Sequence, residues 1–263
     1  PEMFFGRRDV LERIEKRLSA NNIIILYGQR RTGKTSTLFQ LKNVVYKDKA
    51  IPVFLTMQSM LGSDRSFFFF RMAEGVYDAL QNRAKLPKPE IADFKTDPQY
   101  KLEQFLKAVL EQEKQRPIIY LIDEFDGLFR MIEDNKMEAA VLDNLRSIMQ
   151  HFQQVWFLLA GTHLLKQAAA DDDSALFNIA TYEKISILNE KDAGELITKP
   201  VQNQVEYEPY AVEKIKTLTN CHPYFIQGIC FELINYLETG KLTRVTAKEV
   251  DLVVDEILRK GNT

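Results

Sequence analysis

The stretch Gly28-Gln29-Arg30-Arg31-Thr32-Gly33-Lys34-Thr35 has the spacing glycine, four residues, glycine, lysine, hydroxyl. Each residue type has a use against a chain of phosphates. Glycine lets the backbone turn tightly and point its N–H groups inward. Lys34 brings a compact positive charge to the β- and γ-phosphates, and the Thr35 hydroxyl is a hard oxygen donor for Mg²⁺. Ser36 carries the loop into the next element. Further along, Ile118-Ile119-Tyr120-Leu121-Ile122-Asp123-Glu124 is an apolar run that ends in two carboxylates. Asp123 is placed to hold Mg²⁺ and Glu124 to polarise an attacking water, a pairing that favours hydrolysis over simple phosphate binding. The glycine-lysine pattern alone turns up by accident in roughly one chain in a hundred of this length, so the elements around it decide its meaning.

Those elements agree with it. Ile23 to Tyr27 is a continuous apolar run, the mark of a strand buried in a parallel sheet. A helix is expected from Lys34 to about Tyr46, and its free N–H groups and positive dipole end add to an anion site. A strand before the motif and a helix after it are the confirmation the motif requires. Before the strand, Val10, Leu11, Ile14 and Leu18 define a helix from about Arg8 to Ser19. Further strands are read at Ile51–Leu55, Ile118–Ile122, Val155–Ala160 and, more weakly, Tyr182–Leu188, with helices at about 66–84, 98–115 and 138–152. This alternation predicts a parallel sheet with helices on both faces and ligands at the carboxyl ends of its strands. The fourth strand ends in Gly161-Thr162-His163. With that strand beside the acidic one, Thr162 is in reach of the attacking water or the γ-phosphate. After Asn189, read as an N-cap with Glu190 and Asp192 in its first turn, only helical periodicity remains, at about 190–199, 209–219, 223–238 and 246–259. The expected layout is a nucleotide-binding α/β core, residues 1–188, and an all-helical part, residues 189–263.

Composition bounds the rest. The chain has 263 residues, 45% apolar and 27% charged, which excludes a disordered, collagenous or disulfide-stapled class. Its 35 Lys+Arg against 37 Asp+Glu leave −2, so there is no global grip on nucleic acid or an anionic membrane, and a nucleic-acid partner would need a local patch. No apolar stretch reaches the roughly 20 residues that span a bilayer. Cys221 and Cys230 make no disulfide framework and lack zinc-ligand spacing, so a reduced cytoplasmic compartment is the default. His151 and His163 read as structural, and Asp171-Asp172-Asp173 as a solvated acidic loop. Phe67-Phe68-Phe69-Phe70 reads first as helix core. A helix cannot bury every face against one layer, so part of that run is left to meet a partner or further domain. A start at Pro1 without Met reads as a fragment of a longer protein.

Together these motifs resemble the additional-strand Glu-type P-loop ATPases. The opening Phe4-Phe5-Gly6-Arg7, Leu11, the Gly28–Thr35 loop and Asp123-Glu124-Phe125 look like the archaeal-type ATPase and STAND branch of the AAA+ superfamily, over nearly the whole chain. The resemblance implies an α/β P-loop NTPase core with five parallel strands and a helical lid. It also implies ATP or ADP with Mg²⁺ as ligands, and Phe5, Gly6 and Arg7 lining an adenine pocket. Gln29, Arg30, Arg31 and Thr32 belong to the phosphate loop. Asn220-Cys221-His222-Pro223-Tyr224-Phe225-Ile226-Gln227 resembles the family's Gly-His-Pro-type motif, which brings His222 and Pro223 to the nucleotide, although Cys221 stands where Gly is usual. Ring-forming AAA+ enzymes carry an arginine finger between the fourth and fifth strands and commonly an arginine early in a lid helix. Gly161–Glu183 and Cys221–Gln227 contain none. A trans arginine contributes roughly 10³–10⁵ in turnover, so slow hydrolysis is expected, in a switch acting on a protein partner or fused effector domain. Two alternatives are a nucleotide-gated scaffold with little hydrolysis and a DNA-associated ATPase of the origin-recognition or transposition-helper type.

Overall fold

Four apolar runs and one short polar segment form five parallel strands: β1 (Ile23–Tyr27), β2 (Ile51–Thr56), β3 (Ile118–Asp123), β4 (Val155–Gly161) and, the polar one, β5 (Thr181–Lys184). The computed structural model describes residues 4–80, 85–114, 116–163, 165 and 180–261, and the Asp171–Asp173 run lies outside them. The strand order is β2-β3-β4-β1-β5. β4 therefore lies between the strand that leads into the phosphate loop and the strand that ends in the two carboxylates. The register levels their tips, with Tyr27 opposite Gly161 and Ile122 opposite Leu159.

The chain divides into two compact units, Val10–Gln29 with Lys34–Ile185, and Pro1–Asp9 with Arg30–Gly33 and Ser186–Thr263. In the first, here the sheet unit, side chains alternate across the sheet. Ile23 and Ile25 of β1, Tyr120 and Ile122 of β3 and Phe157 and Leu159 of β4 enter one core, while Ile24, Leu26, Ile119, Leu121 and Leu158 enter the other. With both faces covered, the central strands β1, β3 and β4 have no polar side to show, which explains their near-continuous apolar sequences. The helices of this unit are α1 (Arg8–Leu18), α2 (Lys34–Gln40), α3 (Arg65–Leu80), α4 (Pro98–Gln112), α5 (Asp126–Glu133) and α6 (Ala140–His151). α2 widens into a π-helical turn, Leu41–Val45, closed by Tyr46 N–H donating to the Leu41 carbonyl at 2.8 Å.

The four phenylalanines of α3 go into the core. Phe68 and Phe69 are fully buried, and Phe67 and Phe70 pack against the same cluster. The helix buries more than its sheet side because a 3₁₀ turn, Ile91–Phe94, brings Phe94 to 5.8 Å from the Phe70 ring and α4 packs against it as well. β5 is shorter than the sequence predicts. Ile185 N–H still donates to the Tyr27 carbonyl at 2.8 Å, but β1 ends there and leaves Ser186–Leu188 no ladder to join.

The second, helical unit contains α7 (Glu190–Thr198), α8 (Pro209–Thr219), α9 (Pro223–Gly240) and α10 (Ala247–Gly261). Asn189 caps α7 by accepting the Asp192 N–H at 2.9 Å. Pro209 and Pro223 open α8 and α9, where a missing N–H leaves no bond unmade. Ile215, Ile226, Leu233, Leu237 and Val250 close its core. Glu206–Tyr207 and Arg244–Val245 pair as β6 and β7, a parallel ladder too short to leave a periodic signal. Among the described residues, no helix is long and apolar enough to cross a membrane.

Candidate functional site

In the sheet unit, the residues singled out for phosphate chemistry converge at the carboxyl ends of β1, β3 and β4. Lys34 opens α2 and turns its ammonium back over the loop, donating to the Gly28 carbonyl at 3.1 Å and the Gln29 carbonyl at 2.6 Å. The Thr35 hydroxyl donates to Asp123 Oδ2 at 2.5 Å. The other Asp123 oxygen accepts the Glu124 N–H at 2.9 Å. Asp123 is buried, whereas Glu124 is exposed because its backbone leaves the strand in the left-handed region, φ +52°. Two adjacent carboxylates thus have two environments, one locked against a hydroxyl and one open to water. Ser36, next to Thr35 in α2, is exposed.

The tip of β4 ties this arrangement together. Gly28 N–H donates to the Gly161 carbonyl at 3.3 Å, and Phe125 N–H to the Ala160 carbonyl at 2.9 Å. Thr162 follows directly, and its N–H donates to Asp126 Oδ2 at 2.8 Å. Sequence reasoning passed over Asp126. Its only local signal is a third carboxylate in the first turn of α5, and its partner is 36 residues away.

In the helical unit, Arg30–Gly33 and the opening segment come together. The buried Arg7 guanidinium donates through Nη2 to the Thr32 carbonyl at 3.1 Å and to the Ser186 carbonyl at 2.5 Å. Burial lowers its pKa from the ordinary arginine value, with Asp9 and Asp192 pulling the other way. Phe5 packs against the helical core, and Gly6 is half-buried beside Asp192. Arg31 and Gly33 are both left-handed, φ +62° and +98°. A β-carbon at Gly33 would meet nothing within 4 Å, so glycine is required there by the turn itself and not by crowding. Arg30 is exposed. The Arg31 guanidinium lies 4.1 Å over the Tyr224 ring of α9. His222 occupies the N-cap of α9 with its ring 5.0 Å from Phe225. Its buried Nδ1 has no hydrogen-bond partner among the described residues. Cys221 adopts φ +55°, so it takes up the glycine-like turn despite its side chain.

A divalent cation can be tested against this donor set. Among the described residues no three or more His, Cys, Asp or Glu side chains are arranged so that they could hold a metal ion by themselves, which rules against a protein-only cage there. One carboxylate and one hydroxyl with their oxygens 2.5 Å apart suit Mg²⁺, which keeps water and takes its remaining ligands from substrate phosphates.

A phosphate loop after a central strand, and a strand inserted between it and an acidic strand end, define an AAA+ P-loop ATPase fold. The chain belongs to the ATPase domain family found predominantly in Archaea, whose model matches residues 4–228. Among solved structures, it resembles the Aeropyrum pernix ORC2 protein in ADPNP–ADP complexes, with TM-score 0.67 and 12% identity over 95% of this chain and 68% of that one. It resembles A. pernix ORC1 in complex with DNA with TM-score 0.61 and 15% identity, over 98% of this chain and 66% of that one. For domain III of the Thermotoga maritima replication initiation protein DnaA the values are 0.56 and 15%, over 97% of this chain and 95% of that one. No protein of curated function matches the sequence.

Proposed function

We propose that the protein binds ATP with Mg²⁺, hydrolyses it slowly, and passes its nucleotide state to a protein partner or fused effector domain as a STAND-type switch. The observation that carries this reading is the Thr35–Asp123 hydrogen bond, with Lys34 over the loop carbonyls and Glu124 exposed at the next residue. Lys34 and the loop amides bind the β- and γ-phosphates, and Thr35 and Asp123 hold Mg²⁺. When bound, the cation neutralises charge on the phosphate oxygens. Glu124 takes the proton of a water whose oxygen attacks the γ-phosphorus, while the bridging oxygen leaves with ADP. Thr162 orients that water. Residues 1–188 are proposed as the nucleotide-binding core and 189–263 as the helical lid, with Phe5, Gly6, Arg7, His222 and Pro223 as further nucleotide-binding residues. Lys34 and Thr35 follow directly on Arg30–Gly33, which are held by Arg7 through Thr32 and by Tyr224 through Arg31. The two free cysteines support a reducing, cytoplasmic setting.

Lys34→Ala should weaken ATP binding by roughly 100-fold, about 2.7 kcal/mol, in isothermal titration. Glu124→Gln should leave the Kd within about threefold and cut phosphate release by roughly 100-fold or more, the range of a lost general base. Turnover at the normal rate in Glu124→Gln overturns the base assignment. Tight ATP binding with no phosphate release in the wild type would instead establish the scaffold reading. A DNA-associated ATPase draws support from the fold shared with A. pernix ORC1 solved in complex with DNA. It demands turnover stimulated by duplex DNA and fading with salt, against a net charge of −2.

A further inference from the structure

Three carboxylates stand at the end of β3, and the chemistry above uses only Asp123 and Glu124. Asp126 is 6% exposed. One of its oxygens accepts the Thr162 N–H at 2.8 Å. The other, Oδ1, is buried and has no hydrogen-bond partner among the described residues. It faces Gly161, where a β-carbon would come within 2.7 Å of it and would also strike Leu165. A buried carboxylate oxygen without a donor is costly, so an apolar residue would serve mere packing better at this position. What the carboxylate does here is hold a backbone. Phe125 N–H to Ala160 and Gly28 N–H to Gly161 already bind the acidic strand end and the loop entrance to the tip of β4. The Asp126–Thr162 bond extends that stitching by one residue, to the residue whose hydroxyl the proposed reaction uses.

We propose that Asp126 is a positioning residue: it fixes the backbone of Thr162, and through it the Thr162 hydroxyl, relative to Asp123 and Glu124, with Gly161 leaving the room this requires. The proposal rests on the ATPase reading and names a further residue of that site. Asp126 then acts on the transferring phosphoryl group only through Thr162, and hardly on nucleotide affinity.

The test measures two things in the full chain, phosphate release and the affinity for ADP with aluminium fluoride relative to ADP alone. The fluoride complex mimics the transferring phosphoryl group, so the ratio reports positioning even where turnover is slow. Asp126→Ala should lower both by roughly 10- to 100-fold, the scale of a misplaced group, with ADP affinity within about threefold of wild type. Asp126→Asn, whose amide oxygen still accepts the Thr162 N–H, should recover most of the loss. In a Thr162→Ala background, Asp126→Ala should have no further effect, because the two act as a unit. An unchanged ratio in Asp126→Ala, or a double variant that loses the product of the two single losses, overturns the assignment and leaves the ATPase reading standing. A wild type that binds neither ADP nor the fluoride complex overturns both. Should Asp126→Ala fail to fold, Gly161→Ala presses on the same carboxylate. A lowered ratio there supports the proposal and a wild-type ratio overturns it.

Discussion

At the scale of single residues, backbone sign matters as much as side-chain type. Asp123 and Glu124 are neighbours of the same chemistry, yet a left-handed φ at Glu124 leaves one buried on Thr35 and the other open to water. Cys221 does the same for the loop before α9, holding a turn usual for glycine at a cost of about 1–3 kcal/mol. The chemical types at 34, 35, 123 and 124 were legible in the sequence, because a phosphate site needs those groups at that spacing. The sign of φ was not legible for the non-glycine residues, since it is imposed by surroundings. The cysteines yield a pH prediction. Burial pushes the Cys230 thiol up to about 11, with Tyr207 pulling the other way. Above about pH 9 the unfolded chain sheds a proton that the folded chain keeps. The stability this thiol contributes is therefore complete below pH 9 and lost as the pH rises towards 11. Urea unfolding at pH 8 and pH 10 should show a steeper loss in wild type than in Cys230→Ala. Equal slopes would remove Cys230 from the pH dependence.

At the scale of elements, the β5 edge is held by charge where the centre of the sheet is held by apolar burial. β5 is an edge strand with only four residues. Its Glu183 is buried and accepts from Arg13 Nε at 2.9 Å and Arg17 Nη1 at 2.6 Å, which clasps α1 to the strand. Both arginines are partly exposed, so the clasp is worth less than the roughly 3–5 kcal/mol lost when a fully buried pair is broken. Glu183→Ala should cost about 2 kcal/mol in urea unfolding. A loss under about 0.5 kcal/mol would mean that solvent replaces the clasp. The weak apolar pattern near 182–188 showed in the sequence, but the strand's true end did not, because β5 stops where β1 stops pairing with it. The α3 phenylalanines teach the same lesson. Their type announced core, and Phe94 and helix α4, brought in from other segments, account for the sides a single layer leaves uncovered.

At the scale of the molecule, binding and folding are linked. A ligand held only by the folded state at 100 times its Kd adds about 2.7 kcal/mol, or about 5–8 °C in melting temperature for a chain of this size. ATP with Mg²⁺ should produce that shift in wild type and only about 1 °C in Lys34→Ala under differential scanning fluorimetry, since a roughly 100-fold weaker Kd leaves about 0.4 kcal/mol at the same concentration. A shift of the same size in Lys34→Ala would place the nucleotide elsewhere.

The linear chain determined the chemical inventory: which stretches must be buried on both sides, and which short motifs hold phosphate and polarise water. Those properties are local, carried by residue type, spacing and periodicity over a few turns. Only the tertiary structure decided that β4 stands between β1 and β3, that Asp126 meets Thr162, and that Arg7 spends its charge on the carbonyls of Thr32 and Ser186. Each is a contact between distant segments, chosen because a buried donor or acceptor must find a partner wherever packing offers one, and no local pattern records that choice.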